Sequence, residues 1–368
     1  MGLCKRCNRQ SDSISSVIGV CADCIRSHFL SVKEHVETVH RRTRRRFGLP
    51  EIPPRAEGGV SCGICVNSCV IPEGERGYCG VRINREGRLL GITPNSGLLD
   101  SYYDSLPTNC VASWACPAGS SSGYPVFSYA EGPEYGYKNL AVFFNACSFN
   151  CLGCQNWHFR DKSEAVVGDV SARALADRVD GRTSCICFFG GDPTPQLPYA
   201  VEVSRLSLAK LAENKRALRI CWETNGSMNE GLLKQMLVLS LGSGGCVKFD
   251  LKAWDEGLHI TLTGITNRRT LKNFETASLY CAKRKTPPLL YASTLLVPGY
   301  VDEKEVSSIA RFISSLDPHI PYSLLAFAPN FYLHDLPYTS KSDAEACLDA
   351  AKTAGLTNVR LGNTSILQ

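Results

Sequence analysis

Cys147, Cys151 and Cys154 stand at Cys-x3-Cys-x2-Cys spacing, directly after the apolar run Leu140-Ala141-Val142-Phe143-Phe144. Three thiolates on one short loop suit three irons of a cubane [4Fe-4S] cluster, whereas electron-transfer clusters take four cysteines. The fourth iron is then left without a protein ligand, and an open coordination site implies chemistry rather than electron storage. Such an iron can chelate a small molecule through an amine and a carboxylate and pass it one electron. The competing chemistry is a zinc ion completed by a residue such as His158. Zinc sites more often use two separated knuckles, and here the thiolates are crowded.

Other polar motifs could serve the same site. Gly190-Gly191-Asp192-Pro193 exposes backbone groups with no Cβ to obstruct a charged ligand. Glu223, beside Thr224, and Asp250 could take a ribose hydroxyl, an amine or a small cation, and Lys252 could neutralise a carboxylate. Taken singly, each reads as a turn or a surface ion pair. Their positions along the chain join them.

From about residue 136, short apolar or β-branched runs occur at 140–145, 185–189, 218–222, 246–249, 290–297, 322–327 and 358–361. Helical patterns such as Val306-Ile309-Ala310-Ile313 lie between most of them. This alternation predicts parallel strands. Every motif above, with Gly362-Asn363, falls just past the C-terminal end of its strand, where α/β barrels place their active sites. Six or seven units are too few for eight-fold closure. The expected fold is therefore α/β, a partial (β/α)6-type barrel over residues 136–368 with a Cys-rich N-terminal metal-binding extension.

That extension divides in two. Residues 1–60 hold Cys4-x2-Cys7-x13-Cys21-x2-Cys24, which reads as a two-knuckle zinc site. A helix is expected from Ile25 to about Arg46, ending before the linker Pro53-Pro54-Arg55-Ala56-Glu57-Gly58-Gly59. Residues 61–135 are rich in Gly, Ser and Pro and contain Cys62, Cys65, Cys69 and Cys79, which could hold zinc or a second iron–sulfur cluster or share ligands with Cys110 and Cys116. Cys185, Cys187, Cys221, Cys246, Cys281 and Cys347 are expected as small core residues.

Nineteen cysteines in a chain of 368 residues would suggest disulfides in a small secreted protein. Here the Cys-x2-Cys pairs and the lack of an apolar leader favour metal and a cytoplasmic location. No apolar run reaches the length of a membrane span. The net charge of +5 arises in residues 1–60, centred on His40-Arg41-Arg42-Thr43-Arg44-Arg45-Arg46. That run could dock an acidic surface or end a helix in solvent. A nucleic-acid-binding adaptor is not expected, because these residues lack interleaved aromatics.

The cysteine loop resembles the signature of the radical S-adenosylmethionine (SAM) superfamily. Asp250-Leu251-Lys252, His259, Thr263-Gly264, Asn267 and Leu271-Lys272-Asn273 resemble the pyruvate formate-lyase activating enzyme branch, as do residues 190–193 and Thr224-Asn225-Gly226. Cys62-x2-Cys65-x3-Cys69, Glu73-Gly74, Gly77-x-Cys79-Gly80-Val81-Arg82 and Cys154-Gln155-Asn156-Trp157 resemble the Ammecr–Memo-associated radical SAM proteins.

The resemblance implies SAM bound at the open iron and a one-electron reductant. It also implies a 5′-deoxyadenosyl radical that abstracts hydrogen from a residue of a protein or peptide partner. Gly190, Gly191 and Asp192 would hold the methionine amino group, with Pro193 and Thr224 beside them. Glu223, Asp250 and Lys252 would line the remaining SAM or cation site. Gly153 stands where the superfamily often has an aromatic residue, so Phe149 or Trp157 would cover the adenine. Ser293 and Ala328 stand where activases carry arginine and histidine. These departures turn weight from a glycyl-radical activase toward a cobalamin-dependent C-methyltransferase acting on a protein Cα, of the kind that modifies methyl-coenzyme M reductase. A small-molecule radical SAM enzyme is the further alternative.

Overall fold

The computed structural model describes residues 1–108, 110–162, 168–212 and 216–368. Its main sheet has eight strands ordered in space as in sequence: β1 (Leu99–Ser105), β2 (Lys138–Phe144), β3 (Thr183–Gly190), β4 (Arg219–Thr224), β5 (Val247–Asp250), β6 (Leu290–Leu296), β7 (Tyr322–Ala326) and β8 (Val359–Gly362). β2 through β8 are mutually parallel, and β1 pairs antiparallel with β2. The sheet runs from β1 to β8 as an open series, so the partial barrel expected from the strand count is what forms. All seven apolar runs become strands. β1 was not foreseen, because Leu-Asp-Ser-Tyr-Tyr-Asp-Ser is an edge strand whose polar residues hide its period.

Each strand divides its residues between two faces, as the period of two requires. Leu140, Val142, Phe144, Ile186, Phe188, Ile220, Trp222, Val247 and Phe249 join the large buried core. The intervening Ala141, Cys185, Cys187, Cys221 and Lys248 face a lumen. Helices on the outer side begin where short polar side chains cap their free N–H groups. Asn229 accepts from Leu232 N, Asp255 from Leu258 N, and Ser340 from Asp343 N.

The N-terminal helix, α1 (Ala22–Arg45), buries Ile25, Val32, Val36, Val39 and Thr43 along one stripe. It lies against a later helix, Glu256–Thr263. A Cβ on Gly257 would stand 2.7 Å from the Phe29 ring, and one on Gly264 3.0 Å from His40 Nδ1, so glycine permits this approach. Arg26 ties α1 to the turn after β6, reaching Asp302 at 2.8 Å and Glu305 at 3.2 Å.

Among the described residues, no helix is long and apolar enough to cross a membrane. Part of the segment between β1 and β2 folds into the lumen, where buried Glu134 receives both terminal nitrogens of buried Arg219 from β4, at 2.9 and 2.5 Å.

Candidate active site

A cavity of about 430 Å³ opens at the C-terminal ends of the parallel strands. Cys147, Cys151 and Cys154 line it together with Gly190, Gly191, Asp192, Glu223, Thr224, Asp250 and Lys252. Asn363, after β8, closes the ring. Among the described residues, no fourth cysteine and no histidine lines this space. His158, the alternative fourth ligand, lies 71% exposed beside Asp161.

The cysteine loop is fixed from every side. Asn150 N donates to Thr263 O at 2.8 Å and Leu152 N to Leu262 O at 2.9 Å. Asn67 Nδ2 donates to Ser148 O at 2.8 Å, and Ser148 Oγ meets Ser227 Oγ at 2.8 Å. Phe149 N points at Cys147 Sγ from 3.4 Å, and Asn225 Nδ2 lies 3.9 Å from the same sulfur. Hydrogen bonds to cluster sulfurs of this kind tune reduction potential. Burial pushes the Cys151 thiol up to about 11, partly offset by Lys252, and pushes Cys147 up as well. Ligation therefore has to expel protons.

The basic run does not form a free arm. His40, Thr43 and Arg44 are buried. Arg44 lies 3.4 Å over the Tyr78 ring, donates to Pro50 O, and bonds Tyr78 O. Asn150 Nδ2 donates to His40 Nδ1 at 3.0 Å and to Thr43 Oγ1 at 2.8 Å, so this end of α1 holds the cysteine loop.

The Gly-Gly-Asp stretch lines the cavity and also has a structural part. Gly191 N donates to Phe144 O at 2.9 Å and Asp192 N to Ala146 O at 2.8 Å, fastening the stretch to the strand end just before Cys147. A Cβ on Gly191 would stand 2.3 Å from Ala146 O, and one on Gly190 2.5 Å from Phe144 N. The Asp192 carboxylate already accepts from Thr194 N, Asn225 N and Thr224 Oγ1, at 2.8, 2.8 and 3.0 Å. Burial pushes that carboxyl up to about 6. Asp192 and Thr224 therefore brace β3 against β4 while also lining the cavity. Pro193 leads into a 3-10 turn and does not line the cavity.

Lys252 Nζ reaches Asp250 Oδ2 at 2.6 Å, and Ser293 Oγ donates to Asp250 Oδ1 at 2.7 Å. Glu223 pairs with buried Lys248. Phe149 lines the cavity, whereas Trp157 stacks on Phe331 and does not line it.

Arg160 carried no sequence signal. It is 2% exposed, lines the cavity, and its Nη1 is buried without a hydrogen-bond partner. A buried guanidinium nitrogen in that state costs free energy unless an anion meets it. A three-thiolate cluster and a ligand carboxylate are both anionic, so the donor set fits a [4Fe-4S] cluster carrying a chelated amino acid group.

The other cysteines separate by spacing. The ligand atoms of Cys4, Cys7, Cys21 and Cys24 all lie within 4.8 Å of one another, with Cys7 Sγ 3.8 Å from Cys21 Sγ. Zinc–sulfur bonds of about 2.3 Å in a tetrahedron place sulfurs about 3.8 Å apart, so this quartet can hold a single metal ion. Cys62, Cys65, Cys69 and Cys79 line one small cavity, but among the described residues only the first quartet reaches single-ion spacing. Cys110 and Cys116 do not join them and lie in the lumen instead. Cys347 packs in the main core with Cys281 partly buried against it, and Cys185 and Cys246 pack in a smaller core with Cys221 partly buried against it, as expected of small core residues; Cys185, Cys187, Cys221 and Cys246 also border the lumen.

The radical SAM superfamily profile matches residues 141–313, a span that contains the cysteine loop and the ends of β2 to β6. Over those residues the chain carries a radical SAM domain. Members of this superfamily use a [4Fe-4S] cluster and SAM. The chain is 32% identical over 139 residues to an isethionate sulfite-lyase activating enzyme of Desulfovibrio desulfuricans, covering 38% of this chain and 40% of that enzyme's length. It is 25% identical over 312 residues to an uncharacterized protein of Methanocaldococcus jannaschii, covering 83% of this chain and 81% of the relative. A solved domain of pyruvate-formate lyase-activating enzyme from Bacteroides vulgatus matches at 20% identity and a TM-score of 0.38, over 48% of this chain and 98% of that one.

Proposed function

We propose that this radical SAM enzyme cleaves SAM reductively and abstracts hydrogen from a residue of a protein or peptide partner. The observation that carries this reading is the cavity that Cys147, Cys151 and Cys154 share with the polar ends of β3, β4 and β5, lined by no fourth cysteine or histidine among the described residues. Cys147, Cys151 and Cys154 would hold a cluster there, which when bound would supply an open iron and one electron to a sulfonium. The chain's residues do the positioning. Arg160 Nη1 would meet negative charge, Lys252, now paired with Asp250, would take a carboxylate, and Phe149 would offer an apolar face. The Asp192 brace keeps the strand ends, and hence the thiolates, in fixed register. The walls limit water, which strengthens these electrostatic contacts.

A macromolecular substrate is supported by the name of the Desulfovibrio relative, which activates a protein. The test is anaerobic incubation with SAM and dithionite, scoring 5′-deoxyadenosine. We expect product from the wild type and none from Cys151→Ala. A colourless wild-type protein holding only zinc would remove the reading. Repeating the incubation with cobalamin and scoring S-adenosylhomocysteine separates hydrogen abstraction from the methyltransferase alternative, to which Ser293 lends weight by standing hydrogen-bonded to Asp250 where activases carry arginine.

A further inference from the structure

Behind the SAM cavity, separated from it by Phe189, Glu223 and Lys248, lies a second cavity of about 250 Å³ inside the sheet. Barrel lumens are ordinarily filled by layers of bulky branched side chains. This one is lined instead by six thiols, those of Cys110, Cys116, Cys185, Cys187, Cys221 and Cys246. We propose that these cysteines hold an additional iron–sulfur cluster, distinct from the one at Cys147, Cys151 and Cys154.

The register builds the site. Cys187 on β3 pairs directly with Cys221 on β4. Trp222 pairs with Val247, so Cys246 falls beside Cys221 and completes a row of three thiols on three adjacent strands. Cys185 lies two residues earlier on the same face as Cys187, and Cys110 and Cys116 enter from the segment between β1 and β2.

Buried cysteines are commonly small apolar residues that fill space. Cys116, Cys185 and Cys246 do pack with Leu106, Ala112 and Ala118, but two observations go beyond space-filling. The thiols border a void instead of closing it. The Tyr291 hydroxyl, on a residue 2% exposed and packed among Cys116, Cys185 and Cys246, has no hydrogen-bond partner. A lone buried hydroxyl is unfavourable, and thiolates of the cysteines packed around it would accept from it.

A single tetrahedral ion fits poorly. Among the described residues, no three of these sulfurs come within 4.8 Å of one another, whereas the N-terminal quartet does. A polynuclear centre spreads its thiolates more widely and uses the volume. Lys248, which also pairs with Glu223, stands 2.7 Å from Cys110 Sγ and 3.8 Å from Cys187 Sγ, a cation shared between the carboxylate and these sulfurs.

The test is iron, zinc and acid-labile sulfide per chain in anaerobically prepared full-length protein, comparing wild type with Cys221→Ser/Cys246→Ser. We expect the double variant to lose iron and sulfide, about four of each for a cubane, while keeping the SAM-induced change in the spectrum of the first cluster. Cys281→Ser/Cys347→Ser should keep its iron. Should the double variant fail to fold, Cys116→Ser, on a loop, gives the same readout. Unchanged iron, or loss of zinc with iron retained, overturns the proposal. Loss of the SAM response in Cys147→Ala with the lumen iron retained would bear only on the first site, so the two readings fail separately.

Discussion

Asn150, in the middle of the cysteine loop, donates its side-chain amide to Nδ1 of His40, 3.0 Å away on α1. His40 Nε2 faces Thr261 O at 3.0 Å, so the ring is a neutral tautomer with Nε2 as donor and Nδ1 as acceptor. Through this pair the N-terminal helix holds the loop that carries the three thiols. Removing the amide in Asn150→Ala leaves Nδ1 buried without a donor and should cost about 1–3 kcal/mol. Urea unfolding measures that cost. Bleaching of visible absorption by an iron chelator should be faster in the variant, and an unchanged rate would mean that α1 does not hold the loop.

The same contact makes stability depend on pH. Burial holds His40 down at about 4, against an ordinary value of 6.5. Between those values the unfolded chain binds the proton and the folded one does not, so His40 lowers stability as pH falls through that window and has no effect above it. The full window is worth on the order of 3 kcal/mol. His259, also held down to about 4 by burial, acts in the same direction, while Asp192, raised to about 6, opposes them. The difference between wild type and His40→Gln isolates the first term. Urea midpoints at pH 7 and pH 5 should drop more in wild type than in the variant, and parallel drops would contradict this.

Gly191→Ala should displace the cysteine loop, since its new methyl would overlap Ala146 O. We expect the purified variant to carry markedly less iron while remaining folded. Gly242→Ala is the control, because that position on the helix Glu230–Ser243 has nothing within 4 Å. It should retain full iron and gain about 0.5–1 kcal/mol in stability.

The N-terminal quartet should retain one zinc per chain when the cluster is removed by Cys151→Ala. Cys7→Ser/Cys24→Ser should lose that zinc and expose α1 to protease, because the knuckles cap the start of that helix at Cys21. Elemental analysis and limited proteolysis read the two effects, and zinc retained in the double variant would reject the site.

The strands and the ring of motifs above them were legible because alternation and strand-end placement are properties of spacing. β1 was not, since its alternation is carried by Asp, Ser and Tyr at a sheet edge. Asn150, Asn225 and Arg160 lie singly within or near motifs, and one polar residue carries no period. The basic run suggested docking or a solvated end, but its charges sort by helical face. Arg44 turns inward to Tyr78, while Arg41 and Arg45 pair with Glu37 and Glu51. Sequence offers Asp192 as a ligand but does not show its second part as a brace, which rests on three donors from residues 194, 224 and 225. The lumen thiols did leave a trace, as Cys185 and Cys187 stand two apart on one strand and so share a face.

The central claim is that three thiolates leave one iron open to SAM. Electron paramagnetic resonance of the reduced protein, with and without SAM labelled with 15N at its amino group, tests it most directly. We predict a SAM-dependent shift of the [4Fe-4S] signal with coupling from the labelled nitrogen, both absent in Cys151→Ala. A cluster signal identical with and without SAM, with no nitrogen coupling, would contradict the account.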